Sequence, residues 1–420
     1  MNKEIKDRFE YAKSFYKKLN IDVDKVLERV RKIPISVNCW QGDDVKGFMN
    51  NSQPLSGGIM VTGNHPGAAR NPYELRQDLE KVFSLIPGNH KLNLHAIYID
   101  SDEKIDIDQI EPKHYKGWVD WAKKINIGLD FNPTLFSHNM YKDGFTLSHP
   151  DKKIRDFWIN HCQRSIKVAE YFATELKQKC VNNLWIPDGY KDFTVDKFSP
   201  RKRLKESLNS IYAIDYDKSK VLNTMESKLF GIGIEAYTVG SNEFYLSYAI
   251  ENKTGLCMDM GHFHPTEQCS QKVSTVMNFI DELLLHMTRP MRWDSDHVVS
   301  LDDETQEMTS EIIRNNFEDR IHIALDFFDA TINRLAAWVI GTRNVIKSIV
   351  KSCLEPTSIL KQFELSNDFT SRLAIIEEQK SFPWVDVWNY YCEQEGVPYD
   401  GAWLEEIKEY ERNVQFKRKR

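Results

Sequence analysis

The chain has 420 residues, of which 41% are hydrophobic, 28% charged and 12% aromatic, a composition that excludes disordered, collagen-like and coiled-coil classes. Its 56 Lys and Arg against 62 Asp and Glu leave a net charge of −6, so no nucleic-acid partner is expected, because counterion displacement needs a basic face. The sequence has no apolar run of about 18 residues and no apolar h-region near its start, so neither a membrane span nor a signal peptide is expected.

Seven cysteines (39, 162, 180, 257, 269, 353 and 392) are spread without a CxxC pair, which reads as free thiols in a cytoplasmic protein. The length suits two or three ordinary domains, or one large α/β barrel with an accessory piece. Residues 3–32 predict two helices. Ile5, Phe9, Ala12 and Tyr16 recur at helical spacing, Val23, Leu27 and Val30 form a second run, and Pro34 closes it.

From residue 35 short apolar runs alternate with longer helical patterns. The strand candidates are ISVNCW (35–40), GIMVTG (58–63), LNLHAIYI (92–99), IGLDFNP (127–133), NNLWIPDG (182–189), ESKLFGIG (226–233), GLCMDMGH (255–262), LLLHMT (283–288) and RIHIALDFF (320–328). Repeated strand–helix alternation predicts right-handed βαβ units on a parallel sheet. Closure into a (β/α)8 TIM barrel is the first reading. An open doubly wound sheet is the second, since no GxGxxG follows the first strand. Nine candidates overshoot eight, so one of the first two is expected to be accessory.

The last quarter is helical again. The expected division is N-terminal helices over 1–34, a barrel over 35–345 and C-terminal helices over 346–420, the two helical parts forming a small α domain. Such an aromatic-rich appendage suits either an oligomer interface or packing within the chain. The terminal FKRKR reads as a frayed, solvated end.

Functional side chains of a parallel βα protein gather where strands end. His95, Asp130, Asp188, Glu226, Lys228, Asp259, His262, His286, Asp294, Asp296 and Asp326 occupy such positions. Unpaired charges there cost several kcal/mol at least, so a set this large needs a common partner. Glu226, Asp259, His286 and Asp326 fall on four successive strand candidates separated by 33, 27 and 40 residues, about one βα unit each. Three carboxylates and an imidazole brought together by neighbouring strands suit a divalent ion such as Mg²⁺, Mn²⁺, Co²⁺ or Zn²⁺. His262, with Asp294 and Asp296 of a DxD, can hold a second ion nearby, and Asp259 can lie close to both.

Lys228 lies two residues after Glu226, placed to act as an electrophile toward a carbonyl oxygen. His95 can exchange a proton with a ring oxygen or hydroxyl. Trp40, Phe131 and Trp185 can form an aromatic wall for a sugar, although core packing explains each about as well. Two metals and a lysine suit aldose–ketose isomerisation. The same metals suit water activation for phosphate-ester hydrolysis, a metallo-hydrolase that would need a cationic phosphate site, with Arg289, Arg292 and Arg320 as candidates. The pattern alone leaves both open.

The segments PISVNCWQGDDVKGF, LNLHAIY, LDFNPTLFSH, LWIPDGYKDFTVD, ESKLFGIGIEAYTVGSNEFY, MDMGHFHPTE, RPMRWDSDHVV, HIALDFFDATINR and AAWVIGTRN, with GFTLSHP, run through nearly the whole sequence. On these strings it resembles the L-rhamnose isomerases, which are similar in layout to xylose isomerases. The resemblance implies a (β/α)8 barrel, a homotetramer, and conversion of the aldose L-rhamnose to L-rhamnulose in L-rhamnose catabolism. It implies two divalent ions, with Mn²⁺ usual and Zn²⁺, Co²⁺ or Mg²⁺ accepted at the structural site. Glu226, Asp259, His286 and Asp326 would hold the structural ion; His262, Asp294 and Asp296 would hold the catalytic one. Lys228 would contact the oxygens at C1 and C2 and His95 would assist ring opening, with Asp326 counted among the catalytic groups. A metal-assisted 1,2-hydride shift is the implied mechanism and a cis-enediol route its rival.

Overall fold

The structure is a computed structural model that describes residues 2–49, 55–291 and 296–418. Eight strands form a closed, fully parallel barrel: β1 (Ile35–Asn38), β2 (His90–His95), β3 (Gly128–Asn132), β4 (Cys180–Trp185), β5 (Val221–Glu226), β6 (Leu256–Asp259), β7 (Leu283–Met287) and β8 (Ile321–Leu325). Each pairs with its neighbours in chain order, and β8 returns to β1 through Ile35–Ile323 and Ser36–Ala324. The first reading of the fold therefore holds, and the open sheet is excluded.

Two helices precede the barrel, α1 (Lys3–Lys17) and α2 (Val23–Arg31). One helix follows each strand: α3 (Pro72–Phe83), α4 (Lys116–Ile125), α5 (Lys152–Leu176), α6 (Phe198–Tyr212), α7 (Asn242–Asn252), α8 (Ser270–Val276), α9 (Asp303–Arg314) and α10 (Arg334–Cys353). Then come α11 (Thr357–Leu365), α12 (Phe369–Glu378), α13 (Trp384–Gln394) and α14 (Trp403–Asn413). Many helix starts are set by a short polar side chain. Asp22, Asn71, Asp151, Ser241, Asp302 and Asn333 each accept a hydrogen bond from a first-turn N–H. No described helix is long and apolar enough to cross a membrane.

GIMVTG (58–63) is not a strand; it belongs to the long β1–α3 connection. The fifth strand is Val221–Glu226, so the candidate ESKLFGIG starts on its last residue. The helix α7 carries no clear helical signature, because apolar and aromatic side chains occupy several of its faces and blur the 3.6-residue period. Finally, residue 345, the expected end of the barrel, falls inside α10, whose Trp338 donates its indole N–H to the Asn38 carbonyl of β1 at 2.8 Å.

The terminal helices pack on one another. Phe9 of α1 stacks on Tyr390 of α13 with centroids 3.6 Å apart, and Phe15 meets Phe382 at 4.8 Å. The tail is also tied down as far as Arg418, contrary to expectation. Its side chain is largely enclosed, the guanidinium donating to Asp78 at 2.6 and 2.7 Å and to the Gly67 carbonyl at 2.8 Å. Charge-assisted bonding to the buried Asp78, which Tyr410 also contacts, outweighs the end's tendency to fray.

Inside the barrel, Val181, Cys257, Leu284 and Ala324 form a small apolar floor. Beside it sits a buried ion pair. Lys91 Nζ donates to Asp130 Oδ1 at 2.6 Å and to the Lys179 carbonyl at 2.9 Å, while Ser36 Oγ and the Val181 N–H donate to the same carboxylate at 2.7 and 2.8 Å. These contacts link β1, β2, β3 and β4 beneath the mouth. Removing one member leaves a buried charge without its partner, which costs about 3–5 kcal/mol. Lys91→Met is therefore expected to lower the unfolding free energy by ~3 kcal/mol in a denaturant titration. An unchanged midpoint would show that the pair does not hold the floor.

Candidate metal centre

Period-2 alternation aims every second strand residue into the barrel. On β5, β6 and β7 the last inward positions are Glu226, Asp259 and His286, and Asp326 follows directly after β8. Register brings them level, since Asp259 pairs with His286 and Glu226 with Cys257. One ligand atom from each of Glu226, Asp259, His286 and Asp326 lies within 4.8 Å of all the others. His286 Nδ1 stands 3.4 Å from Glu226 Oε1, 3.4 Å from Asp259 Oδ2 and 3.1 Å from Asp326 Oδ2.

Asp259, His262 and Asp296 form a second group, again within 4.8 Å of one another. Asp259 thus belongs to both. His262 Nδ1 is 3.2 Å from Glu226 Oε1, and its Nε2 is 3.8 Å from Asp296 Oδ2. Asp296 stands in a two-residue ladder, Asp296–His297 against Arg289–Pro290, that returns the chain to the mouth after β7. Asp294 and Arg292 lie outside the described residues.

The electrostatics are those of a site built around positive charge. Burial opposes ionisation of Glu226, yet the His286 and His262 rings beside it hold its carboxyl well below the usual range. Burial, with the Asp296 and Asp326 charges adding to it, pushes Asp259 up despite His262. Burial also raises Asp326. Burial alone would depress His286, but Cys257, Glu226 and Asp326 around it lift it well above its ordinary value. One imidazole cannot satisfy three carboxylates. Among the described residues Glu226 Oε1, Asp259 Oδ2, Asp296 Oδ1 and both His286 nitrogens make no hydrogen bond although buried. Orphaned hard donors of this kind, three carboxylates and an imidazole, fit a divalent cation. One carboxylate oxygen of Glu226 is oriented by Asn183 Nδ2 at 2.6 Å, and Asp259 Oδ1 by the Gly261 N–H at 2.6 Å.

Above this centre opens a cavity of about 700 Å³. Trp40, His95, Trp185, Lys228, Glu226, His262, His286, Asp296 and Asp326 all border it. His95 sits at the end of β2 with the Trp40 ring 4.4 Å away, and burial depresses it to about 3, so it is neutral. Lys228 lies past the end of β5 rather than on the strand, with Nζ 4.9 Å above the Trp185 ring.

Phe131 is a correction. It alternates with Asp130 and Asn132, so it points away from the cavity and packs edge-on against Tyr115 and Phe172 at 5.2 and 5.6 Å. Phe136, 5.7 Å from both His95 and Trp185, supplies the aromatic wall instead. Asp188 also serves structure, accepting from the N–H and hydroxyl groups of Thr146 and Ser148. Of the arginines expected for a phosphate site, the two described ones, Arg289 and Arg320, are not brought together. Arg320 precedes β8, at the opposite end of the barrel, and donates to the carbonyls of Met277, Ile280 and Asp281.

Sequence reasoning also missed cavity residues on connections without periodicity: Ile59, Met60 and Thr62 after β1, Ile232 and Glu235 after β5, and His297. His297 was legible as the neighbour of the DxD. The others carry no pattern that sets them apart from ordinary loop residues.

The family model for L-rhamnose isomerase (RhaA) matches residues 3–418. The L-rhamnose isomerase of Listeria innocua serovar 6a is 57% identical over 415 residues, covering 99% of each chain. That of Salmonella agona is 54% identical over 418 residues, covering 100% of each. Among solved structures, an L-ribulose 3-epimerase is similar with 10% identity and a TM-score of 0.46 over 70% of this chain and 96% of that one. The matched family model and the full-length relatives agree, and the chain belongs to the L-rhamnose isomerase family.

Proposed function

We propose that this chain interconverts L-rhamnose and L-rhamnulose at the mouth of its barrel, using two divalent cations with Mn²⁺ as the working ion. The observation that carries the reading is the pair of donor groups sharing Asp259 beneath a cavity of sugar-binding size. Glu226, Asp259, His286 and Asp326 would hold one ion; His262, Asp296 and Asp294 the other. Bound there, the cations would polarise the neighbouring oxygens at C1 and C2 of the sugar and favour transfer of a hydrogen between those carbons.

The protein's own groups supply the rest. A neutral His95 both donates and accepts, so it can carry a proton between ring oxygen and hydroxyl as the sugar opens. Trp40 beside it limits how the ring can turn. Lys228 brings a fixed positive charge toward the oxygens at C1 and C2, held against Trp185 by ammonium–ring attraction. Trp185, Trp40 and Phe136 keep water from the transferring hydrogen, which favours a 1,2-hydride shift over an exchangeable enediol. The free thiols of all seven cysteines suit a reducing cytoplasm. A homotetramer fits the apolar side chains exposed after β4, where Phe193, Val195 and Phe198 face outward.

Chelation should abolish conversion of L-rhamnose to a ketose, and added Mn²⁺ should restore it. Sugar deuterated at C2 and turned over in H₂O should retain its label at C1. A metal-loaded protein that binds L-rhamnose without turnover would defeat the reading, and washed-out label would replace the hydride shift by the enediol.

Lys228→Met should keep both ions by metal analysis while kcat falls about 10²-fold or more, the usual scale for losing one electrostatic stabiliser. Undiminished kcat would remove Lys228 from the chemistry.

The centre also predicts how the metal-free protein responds to pH. Asp259 and Asp326 are raised in the folded state by burial, and His286 by its anionic neighbours despite burial. Each therefore binds more protons folded than unfolded at pH above its ordinary value, so each loses stability as pH rises. Glu226 is depressed, and its contribution is lost only in acid, below its ordinary range. The metal-free protein should melt at a lower temperature at pH 8 than at pH 6, with the difference largely removed by Mn²⁺. Equal slopes with and without the ion would contradict the charge frustration described above.

A further inference from the structure

The β1–α3 connection reaches the cavity with Ile59, Met60 and Thr62, then turns away through residues 63–71. The adjoining wall is the β8–α10 connection, whose Asp329 and Thr331 border the same cavity and follow closely on Asp326. The two walls meet at one joint. The His65 N–H donates to the Ala330 carbonyl at 2.8 Å. Gly63, at φ +120°, lies so close that a Cβ there would come within 2.4 Å of the Ala330 backbone. Arg334, fully buried and paired with Asp44, donates to the His65 carbonyl at 2.6 Å.

The end of the chain closes over this joint from outside. Glu411 Oε1, on α14, lies 2.7 Å from His65 Nε2 on the first wall and accepts from Asn333 Nδ2 on the second at 2.8 Å. Gln415 Oε1 accepts from the same Asn333 amide at 2.8 Å, and its Cβ would be 2.5 Å from a Cβ at Gly67. Asn333 also caps α10, accepting from Leu335 and Ala336 N–H groups through its Oδ1. A single carboxylate oxygen thus bridges both cavity walls and the start of a barrel helix. None of these residues borders the cavity, so they act through the walls and not on the sugar.

We infer that Glu411, supported by Gln415, is a positioning residue that sets the spacing of the β1–α3 and β8–α10 walls and so the fit of the sugar. The inference rests on the proposed sugar site for its kinetic consequence but on the joint alone for its structural one. Glu411→Gln keeps an oxygen acceptor for both His65 and Asn333; Glu411→Ala removes it. Steady-state kinetics on L-rhamnose, metal analysis and hydrogen exchange of residues 63–71 are measured for both variants.

Glu411→Ala should raise KM about tenfold with kcat within about twofold of the parent, as expected for losing a charge-assisted pair of contacts that orients a binding wall. Both ions should stay, exchange over 63–71 should quicken, and Glu411→Gln should restore most of the parent behaviour. Unchanged KM and exchange in Glu411→Ala would overturn the inference. So would parallel loss of kcat, metal and thermal stability, which would mark a general structural role. If the parent itself fails to turn over L-rhamnose, the isomerase reading falls, while faster exchange confined to 63–71 still supports the joint and unchanged exchange still defeats it.

Discussion

Charge crowding governs the mouth of this barrel. Glu226, Asp259 and Asp326 surround one buried imidazole, His286, and their nearest oxygens stand 3.1 to 3.4 Å from its Nδ1. Without a cation the arrangement is expensive, because Glu226 and Asp259 have lost water and the His286 and His262 rings cannot compensate every carboxylate around them. The fold carries this cost on a packed and cross-tied base. The apolar floor of Val181, Cys257, Leu284 and Ala324 fills the space below, and the Lys91–Asp130 pair ties four strands together beside it. The carboxylate oxygens and imidazole nitrogens left without hydrogen bonds at the mouth are hard donors, from which a divalent cation would gain most.

Asp259 gives the centre its second function. It belongs to both donor groups, so the charge of an ion held in one group would alter the affinity of the other. Its Oδ1 is fixed by the Gly261 N–H and its Oδ2 is left for a ligand. A Cβ on Gly261 would lie 2.3 Å from Asp296 Oδ1, so glycine is required for the turn after β6 to bring the two carboxylates this close. The sharing follows from one strand end and one tight turn. It needs no further element.

Much of this was legible in the sequence, for a physical reason. Parallel strands buried on both faces are ordinarily apolar, so Glu226, Asp259 and His286 at strand ends stand out, and their spacing of about one βα unit implies neighbouring strands. Phe131 was misread because an aromatic near a strand end faces the cavity or the helices according to a one-residue phase, and composition does not fix that phase. Lys228 was read as an extension of the strand, but β5 stops at Glu226. The tail was read as solvated because FKRKR looks like a charge run, whereas Arg418 meets a buried Asp78 that is 340 residues away in sequence. Contacts of that separation leave no local periodicity.

The same limit explains why the outer support of the cavity was invisible. Its parts, His65, Asn333 and Glu411, come from three distant segments, and none differs in residue type from ordinary surface chemistry. Only their convergence on one oxygen distinguishes them. The first group of donors, Glu226, Asp259, His286 and Asp326, sits at strand ends fixed by barrel register, whereas the walls that would hold the sugar sit on irregular connections. A strand end cannot shift without breaking its ladder, but a loop needs an external brace to be equally well placed. The helices beyond the barrel therefore have a task within it: α14 and the segment after it brace walls that the eight strands alone leave unsupported.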